Sequence, residues 1–217
     1  MKRFFAVLCM AAMAVSLLTG CKDNDTASQQ TDQTSTPVPT DSEDDTDSQD
    51  LLTGTHHATI EVENYGTITL ELDADTAPIT VTNFVNLANE GFYDSLTFHR
   101  IMSGFMMQGG DPKANGTGGS DEKIKGEFSS NGVENDISHL RGTISMARSK
   151  NNDSASSQFF IVHQDSTFLD GDYAAFGKVT DGMDVVDTIC ASAKPIDDNG
   201  TIPRDQQPVI KKITILD

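Results

Sequence analysis

From Ala58 to Leu72 apolar side chains fall on every second residue, in two runs. Ala58, Ile60 and Val62 alternate with Thr59, Glu61 and Glu63, and Ile68, Leu70 and Leu72 alternate with Thr67, Thr69 and Glu71. A period of two sends one set of side chains to one face of a strand, and Asn64-Tyr65-Gly66 between the runs is a turn signal. The stretch is therefore expected to be a β-hairpin with one buried face. A change of period follows. After Asp75-Thr76-Ala77-Pro78, which places a capping residue ahead of a first-turn proline, Val81, Phe84, Val85, Leu87 and Ala88 recur at helical spacing until Gly91. Short apolar strands are expected again at Thr97–Met102, Phe105–Gln108, Thr143–Ala147, Phe159–Val162, Ala174–Val179 and Val209–Leu216. A second helix, with Asp181 as its cap, is expected through Cys190. Many short strands, two helices and long Gly-rich loops predict a mainly β domain, a closed barrel with helical caps.

The chain ahead of this domain reads differently. Lys2-Arg3 precedes an almost unbroken apolar run, Phe4 to Leu18, shorter than the roughly 20 residues that a membrane-spanning helix needs. It ends in Leu18-Thr19-Gly20-Cys21, which resembles the bacterial lipoprotein box: Leu, two small residues and Cys. That resemblance implies a signal peptide over 1–20, cleavage before Cys21 and acyl chains on Cys21. Residues 21–54 are then a spacer. They are Ser, Thr, Asp and Gln with almost no apolar side chain before Leu51, too little to offset chain entropy. The folded domain is expected over 55–217.

Charge follows the same division. The chain has 33 Asp+Glu and 15 Lys+Arg, a formal net charge of −18. Residues 22–50 hold nine acids against Lys22 alone, net −8, and residues 51–217 hold 24 acids and 12 bases, net −12. Acidity of this degree argues against nucleic acid as a partner, since phosphates need neutralising by Lys and Arg. It does not argue against a membrane reached through acyl chains. With Cys9 in the signal and Cys21 lipidated, Cys190 is left without an intramolecular disulfide partner, so the domain must rely on its core. Met183, Val186 and Cys190 share a helical face, and Cys190 is expected to be buried filler.

The residues that carry chemistry cluster mid-chain. Phe98-His99-Arg100-Ile101-Met102-Ser103-Gly104-Phe105-Met106-Met107-Gln108-Gly109-Gly110-Asp111 sets an Arg and a Gln among strand-forming apolar residues. An Arg so placed is costly to bury unless paired, and its usual place is the wall of a cleft. Ser157-Gln158-Phe159-Phe160-Ile161 puts another amide beside two Phe, and Phe168-Leu169-Asp170-Gly171 and Tyr173-Ala174-Ala175-Phe176-Gly177 add loop aromatics. The five His lack the spacing of metal ligands, and there is neither a nucleophile elbow nor a phosphate-binding Gly-Lys-Ser/Thr loop. No cofactor is expected.

These motifs, with Asn115–Gly119 (N-G-T-G-G) and Gly142–Ala147 (G-x-x-S-M-A), stand in the order and spacing of the cyclophilin family, which the chain resembles over about residues 56–217. The resemblance implies a closed eight-stranded antiparallel barrel capped by two α-helices and a peptidyl-prolyl cis/trans isomerase acting on proline-containing polypeptides; no sequence feature demands an oligomer, and a monomer is expected. It implies Arg100 as the catalytic arginine and Gln108 as its holder and a peptide contact, with Phe105, Met106, Phe160 and Leu169 lining the pocket for the proline ring. Ala147 and Arg148 would contact the peptide from their strand, and Gly116 and Gln158 would form the rim of a neighbouring pocket. Phe98, His99, Phe168 and Tyr173 are the remaining substrate-binding candidates. Three positions depart from the commonest pattern: Phe168 for Trp, Tyr173 for His and Arg148 for Asn. The rival reading is a non-catalytic proline-peptide module or holdase at the cell surface. It would keep the aromatic pocket but has no need of Arg100.

Overall fold

The computed structural model describes residues 50–217, so the expected signal peptide, Cys21 and most of the expected spacer lie outside the described residues. Within them the expected hairpin forms as β1 (Thr55–Val62) and β2 (Gly66–Asp73), paired from Thr55↔Asp73 to Val62↔Gly66. Asn64 takes the left-handed φ of +64° in its turn. Ala58, Ile60, Val62, Ile68, Leu70 and Leu72 are all buried, as the alternation requires. The other strands are β3 (Arg100–Met102), β4 (Met106–Gly109), β5 (Thr143–Met146), β6 (Phe159–Val162), β7 (Ala175–Asp181) and β8 (Ile210–Ile215). All pair antiparallel in one eight-stranded sheet of order β3-β4-β6-β5-β7-β2-β1-β8.

The sheet is curled but open, which corrects the expected closed barrel. Its edge strands, β3 and β8, share no ladder. The segment before β3 instead meets the start of β8 through the isolated bridge Thr97↔Val209. Ser95 N donates to Ile210 O (2.9 Å), Ile210 N to Leu96 O (2.7 Å) and Phe98 N to Pro208 O (2.9 Å). Pro208 has no N–H to return, so the seam cannot run on as a regular ladder. The strand expected from Thr97 accordingly begins only at Arg100.

Helix α1 (Pro78–Asn89) starts at its proline and ends as the glycine predicted. Gly91 sits at φ +73°, with Gly91 N donating to Ala88 O (3.0 Å) and Phe92 N to Leu87 O (2.9 Å). Its start departs from the local reading. The N-cap is Ala77, without a side-chain bond, and the free N–H groups of Ile79 and Thr80 are met by Glu127, nearly fifty residues on. Helix α2 (Met183–Ser192) likewise has Gly182, not Asp181, at its N-cap. Cys190 is buried there, and burial first, then Asp187, pushes its thiol up to about 12. Leu52 and Gly54, at the end of the spacer, are already tied to the folded unit, since Leu52 N donates to Thr82 Oγ1 (2.9 Å) and Gly54 N to Asp75 Oδ1 (2.7 Å).

Two strands explain where the functional side chains go. In β4 and β6 both faces are apolar. Met107, Phe159 and Ile161 point into the main core, while Met106, Phe160 and Val162 point outward and form a second, smaller cluster with Leu169. On the inner side Phe159 meets Phe84 (5.6 Å between centroids), Tyr93 (5.7 Å) and Phe98 (6.1 Å), each edge to face. The doubled Phe of the sequence is thus one ring for each side of the sheet.

Candidate active site

The outer cluster is the floor of a cavity of ≈ 340 Å³ whose walls come from four segments. Met106 and Phe160 rise from β4 and β6, Leu169 and the exposed Phe168 come from the loop after β6, and Arg100 and Gln108 face each other across the β3–β4 pair. Register places them so: Arg100 pairs with Gln108 and Gln108 with Phe160. Phe105, Ala147, Arg148 and Tyr173 complete the lining. Phe105 stacks against Phe168 at 5.6 Å and Tyr173 edge-on to Phe160 at 5.9 Å.

Arg100 is half-buried and held on several sides. Its Nε donates to Asn199 O at 2.7 Å and its Nη1 to Gln108 Oε1 at 3.2 Å, with the sulfurs of Met102 and Met106 at 3.2 and 3.7 Å. Among the described residues no carboxylate lies in an ion pair with it. Burial lowers its pKa from the ordinary value, and Tyr173 and Asp197 act the other way. A guanidinium stays charged through such a shift, so a cation with no partner ion stands at the edge of an apolar cup. The amides beyond it form a one-way chain. Because Arg100 only donates, Gln108 must turn its oxygen to it, and Gln108 Nε2 then donates to Gln158 Oε1 (2.8 Å). Gln158 Nε2 in turn donates to Gly118 O (2.7 Å).

The Gly-rich loop behind that chain is built on Asp111. Its buried carboxylate accepts the N–H of Lys113 (2.8 Å), Asn115 (3.0 Å) and Gly116 (2.6 Å). Burial alone would raise its pKa, but these backbone donors together with Gly118 hold it below the usual carboxylate range. Gly110 before it has φ +81°, and a Cβ there would collide with Ser157 O, so only glycine lets β4 pass so close to the strand opposite.

The remaining sequence candidates fall outside the cup. Phe98 is fully buried in the main core against Phe159. It therefore supports the site from beneath and cannot touch a ligand in the cup. His99 is 3% exposed and faces a ≈ 250 Å³ cavity lined also by Asn115, Gly116, Asn199 and Thr201, which shares Arg100 and Gln108 with the cup. Its two ring nitrogens have no hydrogen-bond partner among the described residues. Burial, chiefly, lowers its pKa; Asp111 opposes this and Arg100 adds to it. Gly116 and Gln158 line a third cavity, again ≈ 250 Å³, which shares Gln108, Ala147 and Arg148 with the cup.

Two supporting residues escaped the sequence. Asn199 holds Arg100 from a loop a hundred positions away, where only the turn signal Asp197-Asp198-Asn199-Gly200 is readable. His139 stacks against Phe160 (6.0 Å, 16° between planes). It is fixed by Asp170 Oδ1 at Nδ1 (2.8 Å) and Ser145 Oγ at Nε2 (3.0 Å). Burial lowers the His139 pKa against the pull of Asp170. A carboxylate only accepts, so Nδ1 is the nitrogen that donates to Asp170, and Nε2 faces the Ser145 hydroxyl. No spacing in the sequence ties His139 to Asp170.

Comparison with known proteins agrees with this arrangement. Residues 57–217 match the family described as cyclophilin type peptidyl-prolyl cis-trans isomerase/CLD. A peptidyl-prolyl cis-trans isomerase of Helicobacter pylori strain J99 is 46% identical over 143 residues, covering 65% of this chain and 85% of the relative. Peptidyl-prolyl cis-trans isomerase B of Bacillus subtilis strain 168 is 47% identical over 123 residues, covering 57% of this chain and 82% of the relative. Among solved structures, a cyclophilin type peptidyl-prolyl cis-trans isomerase of Cryptosporidium parvum, crystallised in the presence of the dipeptide Ala-Pro, superposes with a TM-score of 0.66. It is 31% identical and matches over 74% of this chain and 99% of its own. A match spanning most of the chain, together with the cup and its arginine, settles the family: the protein is a member of the cyclophilin-type peptidyl-prolyl cis-trans isomerases.

Proposed function

We propose that the enzyme isomerises X–Pro bonds in exported proteins, with the apolar cup taking the proline ring and Arg100 stabilising the twisted amide. The observation that carries the mechanism is the position of Arg100, a fixed cation without a carboxylate partner at the edge of that cup. Rotation about X–Pro must break amide resonance, a barrier of about 18–20 kcal/mol, and no nucleophile or base is needed to lower it. In the twisted state the prolyl nitrogen recovers a lone pair that the planar amide lacks. A guanidinium already oriented by Gln108 and Asn199 can donate to that lone pair at no cost in reorganisation. The interaction exists only in the transition state and so lowers the barrier instead of only tightening binding. Phe105, Met106, Phe160 and Leu169 hold the ring while the preceding carbonyl turns. The Cryptosporidium relative was crystallised in the presence of Ala-Pro, the smallest peptide that contains such a bond.

The test is a protease-coupled isomerisation assay on an Ala-Pro peptide with residues 51–217. Acceleration over the spontaneous reaction, which takes roughly tens to hundreds of seconds, is the expected result, and an unaccelerated reaction would refute the proposal.

The site of action follows from Cys21. An apolar run too short to span a bilayer, ending in Leu18-Thr19-Gly20-Cys21, supports export and lipid anchoring, and the acidic spacer would hold the domain off the membrane. Changing Cys21→Ser is expected to move the protein from the membrane pellet to the soluble fraction. A variant that stays in the pellet would rule the anchor out.

A further inference from the structure

His163, the first residue after β6, has a partner on every polar atom. Its backbone N–H donates to Phe105 O (2.8 Å), and its carbonyl accepts Arg141 Nη1 (2.7 Å). In the ring, Nε2 lies 3.2 Å from Asp187 Oδ1 on α2, and Nδ1 lies 2.8 Å from the backbone N of Gly104. These two partners dictate the tautomer. A carboxylate only accepts and a backbone N–H only donates, so Nε2 carries the proton and Nδ1 presents its lone pair. The imidazole side chain is 17% exposed, and Asp187 is held in turn by Arg141 Nη2 (2.8 Å). One ring therefore links α2 to the turn between β3 and β4.

That turn carries Phe105, a wall of the proline cup. Ser103 and Gly104 are exposed, and Gly104 sits at φ +82°, where glycine is free to move and other residues are not. Phe105 N closes the turn on Met102 O (2.9 Å). Among the described residues, every hydrogen bond from Ser103, Gly104 or Phe105 to a segment beyond the β3–β4 pair ends on residue 163 or 164. The Phe105 ring packs on the outer cluster and stacks on Phe168, which is itself 71% exposed. So exposed a neighbour gives little support from outside, and the place of the ring depends on where the backbone of Gly104 and Phe105 is held. We propose that His163 is a positioning residue of the isomerase: it does not line the cup, and through the Gly104 N–H it sets the Phe105 wall. This rests on the isomerase reading of that cup.

A wall that touches the proline ring alike in the ground and transition states gives uniform binding, so loosening it raises KM and spares kcat, the opposite of losing Arg100. Two substitutions separate the ends of the imidazole. His163→Asn puts Oδ1 one bond from Cγ, where Nδ1 stands, and so keeps the acceptor for Gly104 while giving up Asp187. His163→Gln reaches the Nε2 position, where its NH2 can donate to Asp187, and leaves the Gly104 N–H unmet. For an Ala-Pro peptide, KM should rise about fivefold in His163→Gln and His163→Ala, the effect of one net hydrogen bond, and stay within about twofold of wild type in His163→Asn, with kcat little changed in all three. Hydrogen exchange at the Gly104 amide, followed by NMR, should be slow in wild type and His163→Asn and fast in the other two. A merely structural role would lower Tm and leave the KM of the folded enzyme unchanged. A role confined to the α2 anchor would reverse the order, with Gln rescuing and Asn failing. Either outcome, or a loss borne by kcat, overturns the proposal. Wild-type turnover of the peptide separates these results from failure of the isomerase reading, which would leave the peptide at the uncatalysed rate.

Discussion

Replacing Arg100 by Ala is expected to lower kcat/KM for an Ala-Pro peptide by about 100- to 1000-fold, the usual cost of deleting one preorganised donor from an electrostatic site. The loss should fall mainly on kcat. The cup that binds the ring is built from Met106, Phe160 and Leu169, which pack on one another in the outer cluster, and the guanidinium meets them only at the Met106 sulfur (3.7 Å). Arg100→Lys keeps the charge but loses the planar fork that reaches Gln108 Oε1 and Asn199 O at once, so it should restore only a small part of the rate. Stability should change little, because Arg100 lies on an edge strand outside the main core. Circular dichroism melts of both variants check this. An Arg100→Ala enzyme with wild-type kcat would leave a hydrophobic cup without its electrostatic partner and would favour the reading of a proline-peptide binding module.

The parts of this site that could be read from the sequence are those set by strand period and register. Arg100 and Gln108 lie eight residues apart across a short hairpin, Phe159 and Phe160 take opposite faces of β6, and Met106 and Met107 do the same in β4. A local pattern contains that information, and the family motifs repeat it. What the sequence could not show depends on contacts between distant segments. Asn199 reaches Arg100 through a backbone carbonyl, which leaves no trace in residue type. His139 gains its place under Phe160 only when Asp170 and Ser145 arrive from other segments. The open seam is hidden from the sequence for a related reason. Eight strands of the right lengths suggest a ladder all round, but Pro208 at the seam cannot donate, and the segment before β3 meets the start of β8 through the isolated bridge Thr97↔Val209.

The start of α1 shows the same limit and supports the largest stability prediction. A helix leaves its first N–H groups without intrahelical acceptors, and Asp75 or Thr76 ahead of Pro78 looked able to supply one. Asp73 takes those residues instead: its carboxylate accepts Thr76 N (2.9 Å) and Thr76 Oγ1 (2.8 Å) and so fixes the turn before the helix. The helix is capped by Glu127, which is 2% exposed. Its Oε1 accepts Ile79 N (3.0 Å), and its Oε2 accepts Thr80 N (2.8 Å) and the Thr80 hydroxyl (2.6 Å). A carboxylate at the positive end of the helix dipole also gains from the field there. Glu127→Ala removes both acceptor oxygens, and with them three hydrogen bonds, and leaves two N–H groups and a hydroxyl without their partner in a largely buried place. Each such group costs about 1–3 kcal/mol, with non-additivity keeping the sum near the lower end, so a loss of about 3–4 kcal/mol is expected. For a domain of this size that is a fall in Tm of roughly 10 °C. Glu127→Gln keeps the shape and one acceptor but turns an NH2 toward a donor, and it should melt between Ala and wild type. Because Asn135 holds the backbone carbonyl of residue 127 (2.8 Å), the loop itself should stay in place in both variants, and isomerase activity measured well below Tm should survive. A Glu127→Ala protein melting within about 2 °C of wild type would mean that Pro78 and the packing of Val81, Phe84 and Val85 set the helix start without a cap.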